Sequence, residues 1–455
     1  MPKQRNQGQV HPGYQWGPFT ARIPLIHTRV EWPELVQGSF ITTSIGFALV
    51  PILQASFGLS FNEALAMCFI HALLIYWSPI LFGEPFSPGW TTPALPFVLA
   101  FSLSTYDSYD ERFQAMTAMS LDFALLVGVL GITGLGKKFV ELIPLSVKAG
   151  VLLGASLAAL DRIFVADWET YLSQPIAMTL ALALCIIVAF SHPFIKLCRQ
   201  HSYLAFIGSY GLLPALVVAA IAGYLIGELK FDLAWGFTGL PFVSLWQKVS
   251  PFYIGWPSLD MFIEGLPIVF IAYIATFGDL ITGTELIKDA APSRPDEKVL
   301  INNNRSHLAL AVRNVLMALT SPFFSTQGFL WTGTQVIVLK RWREGRAKMD
   351  SIYSGISSFY LLGFPVFFFF LPAITLLTPL MKIALALTLT LTAFGCASIA
   401  IRLVSKSIQM GVALITAFSL VTFNMPWVGI LVGVMGAILL IGIEDIQQER
   451  EADEL

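Results

Sequence analysis

Apolar runs of roughly 20 residues, the helix length that crosses ~30 Å of hydrocarbon, follow one another along almost all of this chain. With 56% hydrophobic and only 12% charged residues, the chain lacks the polar surface to coat a soluble particle of this size, so lipid must serve as its outer solvent. An all-α polytopic membrane protein is the expected fold class. The formal net charge of -2 offers no basic face for a nucleic-acid partner. Cys68, Cys185, Cys198 and Cys396 have no metal-type spacing, so no metal site is expected and the cysteines read as small core residues.

Fourteen segments emerge, at 33–57, 62–82, 88–103, 113–135, 139–164, 175–195, 203–226, 261–286, 307–324, 328–339, 351–370, 375–401, 408–423 and 427–443. They divide the chain into an N-terminal segment (1–32) with no signal-peptide core, a first set of seven (33–226), an external connecting segment (227–260), a second set of seven (261–443) and a short acidic tail (444–455). Trp16, Phe19, Ile23 and Trp32 are candidates for the membrane interface. Lys and Arg tend to stay cytoplasmic, and threading the chain with both termini cytoplasmic puts twenty of them inside and four outside. The plasma (inner) membrane is the expected location.

The two sets echo each other. Leu142-Ile143-Pro144-Leu145 leading to Lys148 is similar to Leu377-Thr378-Pro379-Leu380 leading to Lys382, seven segments later. An odd offset turns the second copy upside down. The short third and tenth segments are also seven apart, and paired, short, Gly/Pro-interrupted segments in two inverted halves point to a transporter's substrate site.

Segment three opens Pro88-Gly89-Trp90-Thr91-Thr92-Pro93-Ala94-Leu95-Pro96, where prolines deny backbone donors and stop a helix from running through. Segment ten is interrupted at Gly328 and Gly333 around Phe329 and Thr332. Non-helical backbone survives at membrane depth only inside protein or beside water. Two half-helices starting near the midplane would aim free N–H groups and partial positive charge at one spot. In segment eight Asp279 is the acid well inside the apolar run, and a carboxylate at such depth costs on the order of 3 kcal/mol or more on insertion scales. Asp279 is the candidate substrate or proton-coupling group, with Trp90, Thr91, Thr92, Thr276, Gly328, Phe329, Thr332 and Gly333 around it. Arg313 in segment nine is its candidate charge partner, Asp122 in segment four a further carboxyl for the same interior, and His71 a core histidine. Phosphate loops, HExxH motifs and nucleophile elbows are missing, so neither an enzyme nor a cofactor is expected, and a gradient-driven or passive carrier is.

On these residues the chain resembles the uracil permease fold, the 7+7 inverted-repeat superfamily shared by nucleobase–ascorbate permeases and sulfate-permease-type anion transporters. The pattern Ile143-Pro144…Val147…Gly150…Gly154, the pair Gly278-Asp279 and the stretch from Arg305-Ser306 to Phe324-Ser325-Thr326 carry the resemblance. Ala275 and Thr276 stand where nucleobase permeases place a glutamate, and no Asp or Glu occurs between Glu297 and Glu344. The resemblance implies a core domain (segments one to four and eight to eleven) moving against a gate domain (five to seven and twelve to fourteen), and a homodimer. It also implies coupling to H+ or Na+ and a nucleobase-like or other small polar substrate. The alternative is a sulfate- or bicarbonate-type anion transporter without a regulatory domain.

Overall fold

The computed structural model describes residues 5–208, 213–363, 365–422 and 426–446. Residues 1–4, 209–212, 364, 423–425 and 447–455, which include parts of the expected N-terminal segment, of segments seven, eleven and thirteen and of the tail, lie outside the described residues.

Every expected segment contains a helix. Segments one, two, four, five, eight and twelve are long and apolar enough to cross a bilayer unaided, as Trp32–Phe57, Phe61–Phe82, Tyr109–Thr133, Leu145–Ala166, Leu259–Ser293 and Leu371–Leu403. Segment six, Pro175–Phe190, bends by 66° into His192–Gln200. The bend falls at Ser191, whose hydroxyl accepts from the backbone N–H of Phe194, so the capping side chain starts a new helix rather than continuing the old one. Thr92–Thr105, Leu213–Ile226, Ser407–Thr422 and Trp427–Ile441 are shorter apolar helices of segments three, seven, thirteen and fourteen. Asn303–Thr320, Thr332–Trp342 and Ile352–Tyr360 are those of segments nine, ten and eleven.

Several boundaries differ from expectation. Segment three is non-helical until Thr92, because of its prolines, and segment ten until Thr332. Segment eleven stops being helical after Tyr360, ahead of Gly363 and Pro365, which suit turns better than a helix. Turns then carry the chain to Leu371, whose N–H donates to the Gly236 carbonyl at 3.0 Å. The connecting segment 227–260 holds the helices Phe242–Val249 and Pro251–Ile254. It is pinned rather than draped: Lys248 and Ser244 reach Glu63 at 2.8 and 2.6 Å, and Ser250 donates to the Leu319 carbonyl at 2.7 Å.

The helices sort into two packed groups. Segment four lies against eight and nine, one against eleven, and eight against ten. Segment five lies against twelve and thirteen, six against seven and twelve, and thirteen against fourteen. Beneath the first group runs the N-terminal segment, which is more structured than its composition suggests. Its strands Tyr14–Trp16 and Phe19–Ala21 form a hairpin, and Phe19 is buried against Phe82 rather than set in the membrane interface. Arg22 donates its N–H to the Ile80 carbonyl at 2.6 Å and stacks its guanidinium 3.8 Å over the Tyr353 ring. Arg5 reaches the Asp296 carboxylate at 2.8 Å and the Asp350 carbonyl at 2.9 Å. Arg294 and Arg5 together hold the Asp296 carboxyl below the usual range, while burial raises that of Glu297. Burial also lowers the His11 imidazole to about 4, with Arg22 and Arg5 adding to it and the His27 carbonyl opposing. The loops around 296 and 342–353 therefore share one face with the N-terminal segment.

Candidate functional site

The two interrupted segments run past each other as non-helical chain. Thr91 N–H donates to the Ser325 carbonyl at 2.8 Å, Gly328 N–H to the Gly89 carbonyl at 2.7 Å and Trp331 N–H to the Ser87 carbonyl at 2.6 Å. Each strand thus answers polar backbone groups of the other, which is how non-helical chain persists in an apolar surround. The approach needs glycine: a Cβ on Gly328 would lie 2.9 Å from Thr91 Oγ1 and 3.1 Å from the Gly89 carbonyl. Ser325 enters the crossing with φ 82°, a region most side chains avoid.

Side chains fasten the crossing. Arg313, fully buried, donates to Gln327 Oε1 at 3.2 Å and to the Gly328 carbonyl at 2.8 Å. Gln335 accepts from Ser87 N–H at 2.6 Å and donates to the Pro85 carbonyl at 3.3 Å, while the Tyr360 hydroxyl donates to the Pro88 carbonyl at 2.6 Å. Thr91 Oγ1 lies 3.1 Å from Thr276 Oγ1, tying segment eight to the same knot.

Beyond the crossing both strands turn into helices, Thr92–Thr105 and Thr332–Trp342, and among the described residues no side chain caps either start. The two starts line a single cavity of about 300 Å³ between the packed groups. Trp90, Thr92 and Pro93 come from segment three, Trp331, Thr332 and Gly333 from segment ten, and Asp279 from segment eight. Segment twelve supplies the opposite wall, including Thr388, Thr392 and Cys396. Asp279 is partly open to this space and has no hydrogen-bond or ion-pair partner among the described residues. A second cavity of about 140 Å³ lies farther along the same helices, lined by Ile52 and Ser56 of segment one, Lys382 and Leu389 of segment twelve, and the Arg162–Asp167 pair.

Of the residues singled out from sequence, Asp279, Trp90, Thr92, Thr332 and Gly333 meet at the cavity. Thr91, Thr276, Gly328 and Phe329 are buried behind its wall as parts of the crossing. The expected Asp279–Arg313 pairing is corrected: Arg313 is committed to segment ten's backbone and side-chain carbonyls. Asp122 does not reach the cavity either. It lies on the helix face of Leu125, Val129 and Ile132, which are 67%, 48% and 77% exposed, because three- and four-residue steps stay on one side of a helix. His71 is hydrogen-bonded to a neighbour, its Nε2 donating to the Ser321 carbonyl at 2.7 Å, but it also lines the cavity. Sequence reasoning passed over Trp331, Thr388 and Thr392. Two signals were available: the Trp-Thr echo at 90–91 and 331–332, and the four-residue threonine spacing of segment twelve.

No protein-family model and no curated protein matches the chain. Among solved structures, the murine solute carrier 26 family member A9 (Slc26a9) anion transporter, in the inward-facing state, gives a TM-score of 0.53 at 14% identity. That match covers 95% of this chain and 70% of that one. The transmembrane domain of a cyanobacterium bicarbonate transporter, BicA, gives 0.49 at 15% identity over 90% of this chain and 99% of that one. The first likeness supports an all-α polytopic membrane fold.

Proposed function

We propose that the chain is a secondary active transporter of a small anion, with Asp279 coupling anion movement to a proton. One juxtaposition supports this reading above all: two uncapped half-helix starts and an unpartnered carboxyl share a cavity between two packed groups of helices. The starts attract negative charge. An ionised Asp279 repels it within the same 300 Å³, so an anion enters most readily when Asp279 carries a proton. Fixing the anion and the proton together is the physical content of symport. The fold agrees, since the structure it resembles is that of an anion transporter, and the sequence lacks the carboxylate pair that would favour a nucleobase.

In this reading the core group, segments one to four and eight to eleven, moves against the gate group, segments five to seven and twelve to fourteen. The two cavities along segments one and twelve then belong to one route, with Leu49 lining the first and Ile52, Leu385 and Leu389 the second. Both termini face the cytoplasm of a plasma membrane, and copies pair through their gate groups.

Flux into proteoliposomes under an imposed pH gradient tests the reading with sulfate, bicarbonate and chloride against uracil. Anion accumulation should follow the gradient, and Asp279→Asn should reduce gradient-driven accumulation by about tenfold, the factor carried by ~1.4 kcal/mol, while anion exchange at equal pH persists. Uptake of uracil alone, or gradient dependence unchanged in Asp279→Asn, rejects it.

A further inference from the structure

We infer, resting on the anion-transport reading above, that the substrate is an organic acid with a flat aromatic body rather than a bare inorganic anion. Size is the first argument. A cavity of about 300 Å³ is several times larger than a three- or four-oxygen inorganic anion requires, and it falls at the low end of the ~300–1,000 Å³ typical of sites for small organic ligands.

The lining is the second argument. Trp90 and Trp331 come from the two crossing strands, both are partly open to the cavity, and neither ring nitrogen has a partner among the described residues. Most other walls are aliphatic, from Ile45, Leu49, Ile75 and Leu330 in one group to Leu391 and Ile399 in the other. A hydrated inorganic ion gains nothing from such walls. Indole faces and edges, by contrast, favour another flat ring.

Donor accounting places the acid group. Thr388 and Thr392 direct their hydroxyl hydrogens to the carbonyls of Ala384 and Thr388, and His71 directs its Nε2 hydrogen to Ser321. Among the described residues, the donors left facing the cavity are the Thr92 N–H, the helix start at Thr332, the Thr332 hydroxyl and the indole N–H groups, since Pro93 has no N–H and that of Ala94 is bonded to the Thr91 carbonyl. The Trp331 ring nitrogen stands 3.5 Å from the place of a Cβ on Gly333, so indole and helix start converge on one point. A carboxylate there leaves its ring among the indoles, with Asp279 protonated beside it.

The experiment is calorimetric titration of the purified full chain at pH 7 with benzoate, with its saturated analogue cyclohexanecarboxylate, and with sulfate and bicarbonate, alongside proteoliposome flux of the same two inorganic ions. Benzoate should bind about tenfold more tightly than cyclohexanecarboxylate, the scale of an aromatic pair, and should compete with any inorganic anion carried. Trp331→Phe should keep that ratio and Trp331→Leu should collapse it toward one. If Trp331→Leu does not fold, the ratio in the native chain decides by itself. Equal binding of the two ring acids, or inorganic flux that benzoate leaves untouched, overturns the aromatic assignment and keeps the anion reading. Absence of both binding and flux for every anion rejects the two together.

Discussion

The two crossing strands do the same job by different means. The first, 87–91, is kept out of a helix by covalent structure, with Pro88, Pro93 and Pro96 fixing φ and removing donors, and it leans on the N-terminal segment where Arg22 reaches the Gly83 carbonyl at 3.3 Å. The second, 325–331, has no proline and is held by hydrogen bonds from Arg313 to Gln327 and Gly328 and from Gln327 to the His71 carbonyl. A break made of prolines is local and survives the loss of neighbours. A break made of buried hydrogen bonds depends on distant residues and fails when one is removed.

That contrast predicts a ranked series of effects. Arg313→Met should cost most, about 3 kcal/mol, because two buried oxygens each lose a donor at ~1–3 kcal/mol apiece. Thermal unfolding of the purified protein measures it, and a loss below 1 kcal/mol would mean that the second strand stands without its clamp. Gln335→Ala should follow at about 2 kcal/mol, since it orphans the Ser87 N–H and the Pro85 carbonyl. An unchanged unfolding midpoint would count against the crossing as described.

Acid should loosen the support of the first strand. His11 is neutral in the fold, its pKa lowered to about 4 against ~6.5 when unfolded. The unfolded chain therefore binds the proton first, and stability is lost as pH falls from about 6.5 toward 4. At pH 5 the loss should reach about 2 kcal/mol, visible as faster proteolysis of residues 5–31. His11→Gln should flatten that dependence, and an identical pH profile in the variant would remove His11 from the account. Smallest is Pro93→Ala, below about 1 kcal/mol, because its neighbouring prolines still break the helix. A larger loss would erase the contrast between the strands.

The same contrast explains what the sequence made legible. Proline spacing and a lone acid in an apolar run are local signals, so the break ahead of Thr92, the place of Asp279 in segment eight and the shortness of segments three and ten could be read directly. The partner of Arg313 could not, because the Gly328 carbonyl comes within reach only after the chain reverses at Ser325. Nor could the half-buried place of Asp122 away from the cavity, which is set by how segment four rotates against eight and nine rather than by its own residues. The N-terminal segment offered only candidates for the membrane interface because its charges find their counterparts almost 300 positions away, as Arg5 does in Asp296.

That separation has a consequence for biogenesis. Arg5 bonds to residues 296 and 350, so the stretch around it waits for 345 further residues to be made before it can dock fully. Closing so long a loop is entropically slow to reward. Until then Arg294 and Glu297 lack Arg5 beside them, and a nascent chain halted before position 350 should remain open to chaperones and proteases at that face.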